Sequence, residues 1–115
     1  MRILILGCGS IGRRHACNLH QLGVPELMLF DPDGARAQCL ATELGAQVVA
    51  ETTQGYVNRP DAVLICAPTS SHLPLAREAA EHGCHIFIEK PLADGRAGVD
   101  SLCELIRQRG LVSLV

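Results

Sequence analysis

Aromatic residues are nearly missing from this 115-residue sequence: there is no tryptophan, one tyrosine and two phenylalanines. A core built from such a chain must be aliphatic, which suits parallel strands covered on both faces. A basic block is missing too. Lys90 is the only lysine beside nine arginines, and the formal net charge is −2. Neither nucleic acid nor an anionic membrane surface is an expected partner. No apolar run approaches the ~20 residues that cross a bilayer. The N-terminus enters an apolar run at once, without the layout of a signal peptide.

No C-x-x-C occurs, although there are six cysteines. Cys8, Cys17, Cys39, Cys66, Cys84 and Cys103 are dispersed. Most fall inside apolar helix or strand patterns, where free cysteine acts as a small hydrophobe. A reduced, cytoplasmic protein is therefore expected. His82, Cys84 and His85 crowd one helix-to-strand turn, but they lack a fourth ligand and a standard spacing, so no metal is expected.

What is present is apolar material in short, regular blocks. The hydrophobic fraction is 48% and the mean hydropathy is +0.21, enough to bury one core and too much for a disordered chain. Strand-like runs end near Leu6, Phe30, Val49, Ala67 and Ile88, and a sixth begins near Leu111. Helical patterns lie between them: Ser10 to Leu22, with Ile11, Leu19 and Leu22 expected inward; Ala35 to Leu44; one irregular turn in Glu51 to Arg59; Ser71 to His82, with N-caps offered by Thr69-Ser70-Ser71; and Asp94 to Arg109, with Val99, Leu102, Cys103 and Ile106 inward. Alternating strands and helices imply βαβ units and a doubly wound parallel sheet of Rossmann type, here as a single domain over residues 1–115. The chain stops inside the sixth strand, so it reads as truncated there.

The organising segment is Ile3-Leu4-Ile5-Leu6-Gly7-Cys8-Gly9-Ser10-Ile11-Gly12, an apolar run followed by G-x-G-x-x-G and a helix. Gly7 permits the tight exit from the strand. Gly9 lets the backbone approach a pyrophosphate, and Gly12 lets the helix pack closely on the sheet. The helix start offers free N–H groups and a positive dipole end. Asp31 follows the next strand, where a carboxylate would accept hydrogen bonds from the adenosine ribose. It would repel a 2′-phosphate, so NAD is the expected cofactor; Arg36 in the same loop leaves NADP open. Arg13 and Arg14 lie near the phosphates, or are plain surface residues.

Two further strand ends carry unusual residues, Ala67-Pro68-Thr69-Ser70-Ser71-His72 and Glu89-Lys90-Pro91. Together with the glycine turn and His15, they make the chain resemble the N-terminal domain of the glucose–fructose oxidoreductase / inositol dehydrogenase family of NAD(P)-dependent enzymes. The resemblance covers essentially the whole sequence, and Glu89-Lys90-Pro91 is its most specific part. It implies that Ala67, Pro68 and Thr69 line the cofactor cleft, that Glu89 lies near the nicotinamide ribose, and that Lys90 reaches the nicotinamide and a substrate hydroxyl. Pro91 would fix the chain direction after it. His72 reads either as a cofactor contact or as a packing and capping residue. The resemblance also implies a sugar or polyol substrate, and a second α/β domain that supplies most of the substrate pocket and a homo-oligomer interface. That domain is not in this sequence. The alternative is a stand-alone, non-enzymatic NAD(P)-binding or redox-sensing module.

Overall fold

A computed structural model describes residues 1–115. The strands are β1 (Arg2–Leu6), β2 (Glu26–Phe30), β3 (Gln47–Val48), β4 (Ala62–Ile65), β5 (His85–Ile88) and β6 (Ser113–Leu114). The helices are α1 (Ser10–Gln21), α2 (Gly34–Leu44), α3 (Thr52–Val57), α4 (His72–Glu81) and α5 (Val99–Gln108), and a 3₁₀ turn over Thr69–Ser71 leads into α4. The strands form one sheet in the order β3-β2-β1-β4-β5-β6, and every neighbouring pair is parallel. The order reverses between β1 and β4, the place where a doubly wound sheet opens a crevice at its carboxyl edge.

The pleat sorts the aliphatic runs onto two faces. Ile3, Ile5, Leu27, Leu29 and Leu64 point to one core with Ala16 of α1 and Ala37, Leu40 and Ala41 of α2. Leu4, Leu6, Met28, Val63, Ile65, Ile86 and Ile88 point to the other, with Ala76, Ala79 and Ala80 of α4 and Leu102 of α5. Continuous apolar strands are thus explained by burial on both sides. Alanine dominates the helix faces, which lets the helix backbones approach the sheet closely.

Three helix expectations need correction. In α1 the buried residues are Gly12 and Ala16, while Ile11 is 43% and Leu22 80% exposed. The small residues set the inward stripe, because a helix opened by a glycine turn must start close against the sheet. Thr69-Ser70-Ser71 supplies no side-chain cap to α4; those residues wind into the 3₁₀ turn instead. Helix α5 starts at Val99, not at Asp94, and residues 92–98 form bends and turns. Gly98 has φ +85°, outside any helix, and Gly95 adds a second weak helix former. Cys103, expected inward, is exposed.

The carboxyl ends of four strands are stitched in one row. The Gly7 N–H donates to Phe30 O at 2.8 Å, Cys66 N–H to Leu6 O at 2.8 Å, and Glu89 N–H to Ile65 O at 2.9 Å. These rungs carry Asp31, the glycine turn, the Ala67–Pro68 segment and Glu89-Lys90 onto a single edge.

Candidate functional site

A cleft of about 660 Å³ opens on that edge. Of the residues expected there, Gly7, Gly9, Ser10, Ile11, Asp31, Ala67 and Pro68 line it. The exposure of Ile11 thereby has a reason: it forms the apolar rim of the cleft. Cys8, Gly12, Thr69, His72, Glu89, Lys90 and Pro91 do not line it. Cys66 and Leu75 line it without having been expected there, and Ser71, expected as a cap, lines it as well. Ser71 and Leu75 are four apart across the start of α4, a spacing that places both on one face.

The glycine turn has the shape an anion needs. Gly7 sits at φ +100°, and a Cβ there would lie 2.7 Å from the Cys66 carbonyl. A Cβ on Gly12 would lie 1.8 Å from the Gly7 carbonyl oxygen. A Cβ on Gly9 would meet nothing within 4 Å: this glycine keeps open space open. Helix α1 starts with Gly9 as N-cap, no side-chain cap and no acidic residue in its first turn. Its first amides therefore keep their donors for an incoming anion, and no carboxylate opposes the dipole.

Asp31 holds the turn from the side. It is 8% exposed, its Oδ2 accepts the Cys8 N–H at 2.7 Å, and its Oδ1 accepts the Asp33 N–H at 2.8 Å. The remaining lone pairs of both oxygens face Arg36 at a long distance, a contact that a hydroxyl donor could displace. The Arg36 guanidinium is 3.5 Å from both oxygens and also 3.6 Å from Asp33. Arg13 pairs with Glu43 at 2.6 Å, which ties α1 to α2 and gives it a structural partner.

At the other end, Glu89 accepts from His15 Nε2 at 2.7 Å. This contact holds the Glu89 carboxyl below the usual carboxylate range. His15 also packs edge-on against Phe87, with ring centroids 5.1 Å apart. The His15 position was visible in the sequence, but its pairing with a residue 74 positions away was not. His72 is 1% exposed. Its Nδ1 lies 2.9 Å from the Pro91 carbonyl oxygen and its Nε2 2.8 Å from that of Ala67. Both ring nitrogens thus face backbone carbonyls of the fold. The peptide between Lys90 and Pro91 is cis.

The cysteines are all free, and three are chemically quiet. Burial first, then the Asp31 charge, pushes the Cys8 thiol from 9.0 up to about 11. Burial and Glu89 push Cys66 to about 12, and burial and Asp61 push Cys84 to about 11. Thiols held protonated at neutral pH are poor nucleophiles, which speaks against redox sensing at the glycine turn. The same shifts set a pH dependence. The unfolded chain releases these three protons above about pH 9 while the folded chain keeps them, so stability is fully present below that pH and is lost as pH rises toward 11–12. The urea midpoint is expected to fall between pH 8 and pH 10.5; a midpoint that stayed level or rose would contradict the burial. In native protein at pH 8, the exposed Cys39 and Cys103 should react fast with a disulfide reagent, and Cys8 and Cys84 only on unfolding.

No group of three or more potential metal ligands occurs, and no helix is long and apolar enough to cross a membrane.

Comparison with known proteins follows the same lines. The profile of the Gfo/Idh/MocA oxidoreductase family, NAD-binding Rossmann fold, matches residues 1–115. The chain is 36% identical over 120 residues to scyllo-inositol 2-dehydrogenase (NAD(+)) of Bacillus subtilis strain 168, covering 100% of this chain and 35% of that protein. It is 33% identical over 113 residues to UDP-N-acetylglucosamine 3-dehydrogenase of Acidithiobacillus ferrooxidans, covering 97% and 35%. Among solved structures, myo-inositol 2-dehydrogenase from Lactobacillus plantarum superimposes with a TM-score of 0.88 at 27% identity, over 99% of this chain and 36% of that one. The chain thus spans about a third of the length of the curated relatives it matches.

Proposed function

Because the chain belongs to the Gfo/Idh/MocA oxidoreductase family with its NAD-binding Rossmann fold, we propose that residues 1–115 are the cofactor domain of an NAD-dependent dehydrogenase. Its substrate would be a sugar, a polyol or a sugar derivative, oxidised at a hydroxyl-bearing carbon. The observation that carries the reading is the single carboxyl edge on which the glycine turn, Asp31 and Glu89-Lys90 lie.

In this reading the first-turn amides of α1 bind the pyrophosphate, and Asp31 accepts from the adenosine ribose. Ala67, Pro68 and Thr69 border the path toward the nicotinamide end. NAD bound there supplies the hydride acceptor. Lys90 would hydrogen-bond the substrate hydroxyl and take or relay its proton as the C–H hydride leaves for the nicotinamide and the carbon–oxygen bond becomes a carbonyl. Glu89, held by His15, faces the nicotinamide ribose. Asp31 favours NAD over NADP by repelling a 2′-phosphate, and Arg36 beside it moderates that preference. A second domain, for which the relatives' length leaves room, would complete the substrate pocket and carry the homo-oligomer contact. Six unpaired cysteines suit a reducing compartment such as the cytoplasm.

The test is a Lys90→Met substitution in the longer protein. Turnover is expected to fall by about 10²- to 10⁴-fold, while the NADH dissociation constant changes less than about tenfold. Full turnover in the variant would remove Lys90 from the chemistry. NADH binding without dehydrogenase activity in any longer native form would favour the binding-module alternative.

A further inference from the structure

Lys90 is flanked by two residues that are each tied to a histidine from elsewhere in the fold. Before it, the Glu89 carboxylate accepts from His15 Nε2 at 2.7 Å. After it, the Pro91 carbonyl faces His72 Nδ1 at 2.9 Å. His15 stands on α1, one turn beyond Gly12 and on the helix that the glycine turn opens. His72 is the first residue of α4, and its other nitrogen faces the carbonyl of Ala67, a residue of the cleft wall. Both segments that line the cleft are therefore connected to the lysine, each through one imidazole.

We infer that His15 and His72 are positioning residues that bracket Lys90 and make its placement respond to occupation of the cleft. The fit of each contact supports this. His15 packs edge-on against Phe87, and Phe87 lies on β5 two residues before Glu89. His72 is 1% exposed, so its ring has no water to exchange for the carbonyls. A neutral imidazole donates to one of the two carbonyls and a doubly protonated one to both; in either state the ring fills the space between the β4 and β5 ends. A lysine side chain has four rotatable bonds and a large rotamer entropy. Holding the Glu89 side chain before it and the Pro91 carbonyl after it restricts how the segment presents Lys90, so less disorder is lost when it meets a substrate. The link to the cofactor rests on the proposed NAD-binding reading; the bracket itself does not.

Lys90 being the only lysine gives a direct probe. Reductive methylation with ¹³C-formaldehyde puts a label on Lys90 and on the N-terminal amine alone and keeps the lysine charge. Lys90→Arg, by losing a signal, assigns it. In the unsubstituted domain the Lys90 signal is expected to differ from that of the unfolded chain and to move on saturation with NADH. His15→Leu and His72→Leu should shift the free-state signal toward the unfolded position and abolish its movement with NADH, while NADH still binds within about tenfold. His15→Gln, which keeps a donor for Glu89, should restore the signal. If His15→Leu folds, binds NADH and leaves the Lys90 signal and its response unchanged, the bracket is wrong. His15 is partly exposed, so this variant decides the matter even if the buried His72→Leu fails to fold. Should the unsubstituted domain bind no NADH, the cofactor reading fails, and the free-state signal in the His15 variants still decides for or against the bracket.

Discussion

Gly12→Ala is expected to unfold the domain or lower its Tm by roughly 15 °C, whereas Gly9→Ala, three residues earlier, should fold normally and lose the cofactor. The contrast comes from what each new methyl group meets. On Gly12 it would lie 1.8 Å from the Gly7 carbonyl oxygen and 2.8 Å from its carbon, both backbone. Neither can move without opening the seam between α1 and β1. A clash of that kind belongs with severe overpacking and costs about 3 kcal/mol or more, and each kcal/mol is worth roughly 4–8 °C for a domain of this size. Gly9 has φ −65° and ψ −169°, a conformation alanine adopts freely, and its Cβ would meet nothing. Stability should change by less than about 1 kcal/mol, the scale of an N-cap change. The methyl group would stand where the pyrophosphate is proposed to lie, so NADH affinity should fall at least about tenfold. Thermal melts and NADH titrations of the two variants check both halves. Equal stability of the two, or unchanged affinity in Gly9→Ala, would contradict the assignment.

Asp31→Ala is expected to damage both the fold and the binding site. The carboxylate accepts the N–H of Cys8, in the glycine turn, and that of Asp33, at the start of α2. Cys8 is 4% exposed, so its amide would be left buried without an acceptor, at a cost of about 1–3 kcal/mol. The turn would also lose the group that fixes its position, and the ribose its proposed acceptor. NADH affinity should fall by about 30-fold or more, which corresponds to roughly 2 kcal/mol. Asp31→Asn separates the two roles. It keeps the side-chain shape and an acceptor for only one of the Cys8 and Asp33 amides, so part of the stability cost remains, and it removes the charge that opposes a 2′-phosphate. The ratio of NADPH to NADH affinity is therefore expected to rise in Asp31→Asn, with Arg36 at 3.5 Å from the side-chain oxygens ready to pair with the added phosphate. Parallel titrations with the two cofactors read this ratio.

Strand positions were legible in the sequence because burial on both faces leaves unbroken aliphatic runs such as Ile3 to Leu6 and Val63 to Ile65. The turn chemistry was legible because glycine spacing and a following acidic residue answer to steric needs that few other residues meet. Helix α1 shows where that reading fails. Apolar identity suggested Ile11 and Leu22 as inward, whereas close approach to the sheet selected Gly12 and Ala16, and hydrophobicity alone does not report closeness. At α5 the pattern Val99, Leu102, Ile106 located the helix but not its start, which depended on the positive φ of Gly98. The least legible features were the long-range ones. Nothing local marks His15 as the partner of Glu89, or His72 as the link between Ala67 and Pro91, since both pairings exist only once the parallel crossovers bring the strand ends together.

This edge of the sheet is proposed to bind an adenine dinucleotide, with the glycine turn as its anchor. The most direct measurement is a titration of the 115-residue domain with NADH, followed by the fluorescence of the cofactor itself, in a protein without tryptophan to obscure it. A saturable enhancement is expected, with a dissociation constant on the order of micromolar, weakened at least about tenfold in Gly9→Ala at unchanged Tm. A natively folded domain that gave no saturable change up to about 1 mM NADH, or bound it equally well with Ala at position 9, would contradict it.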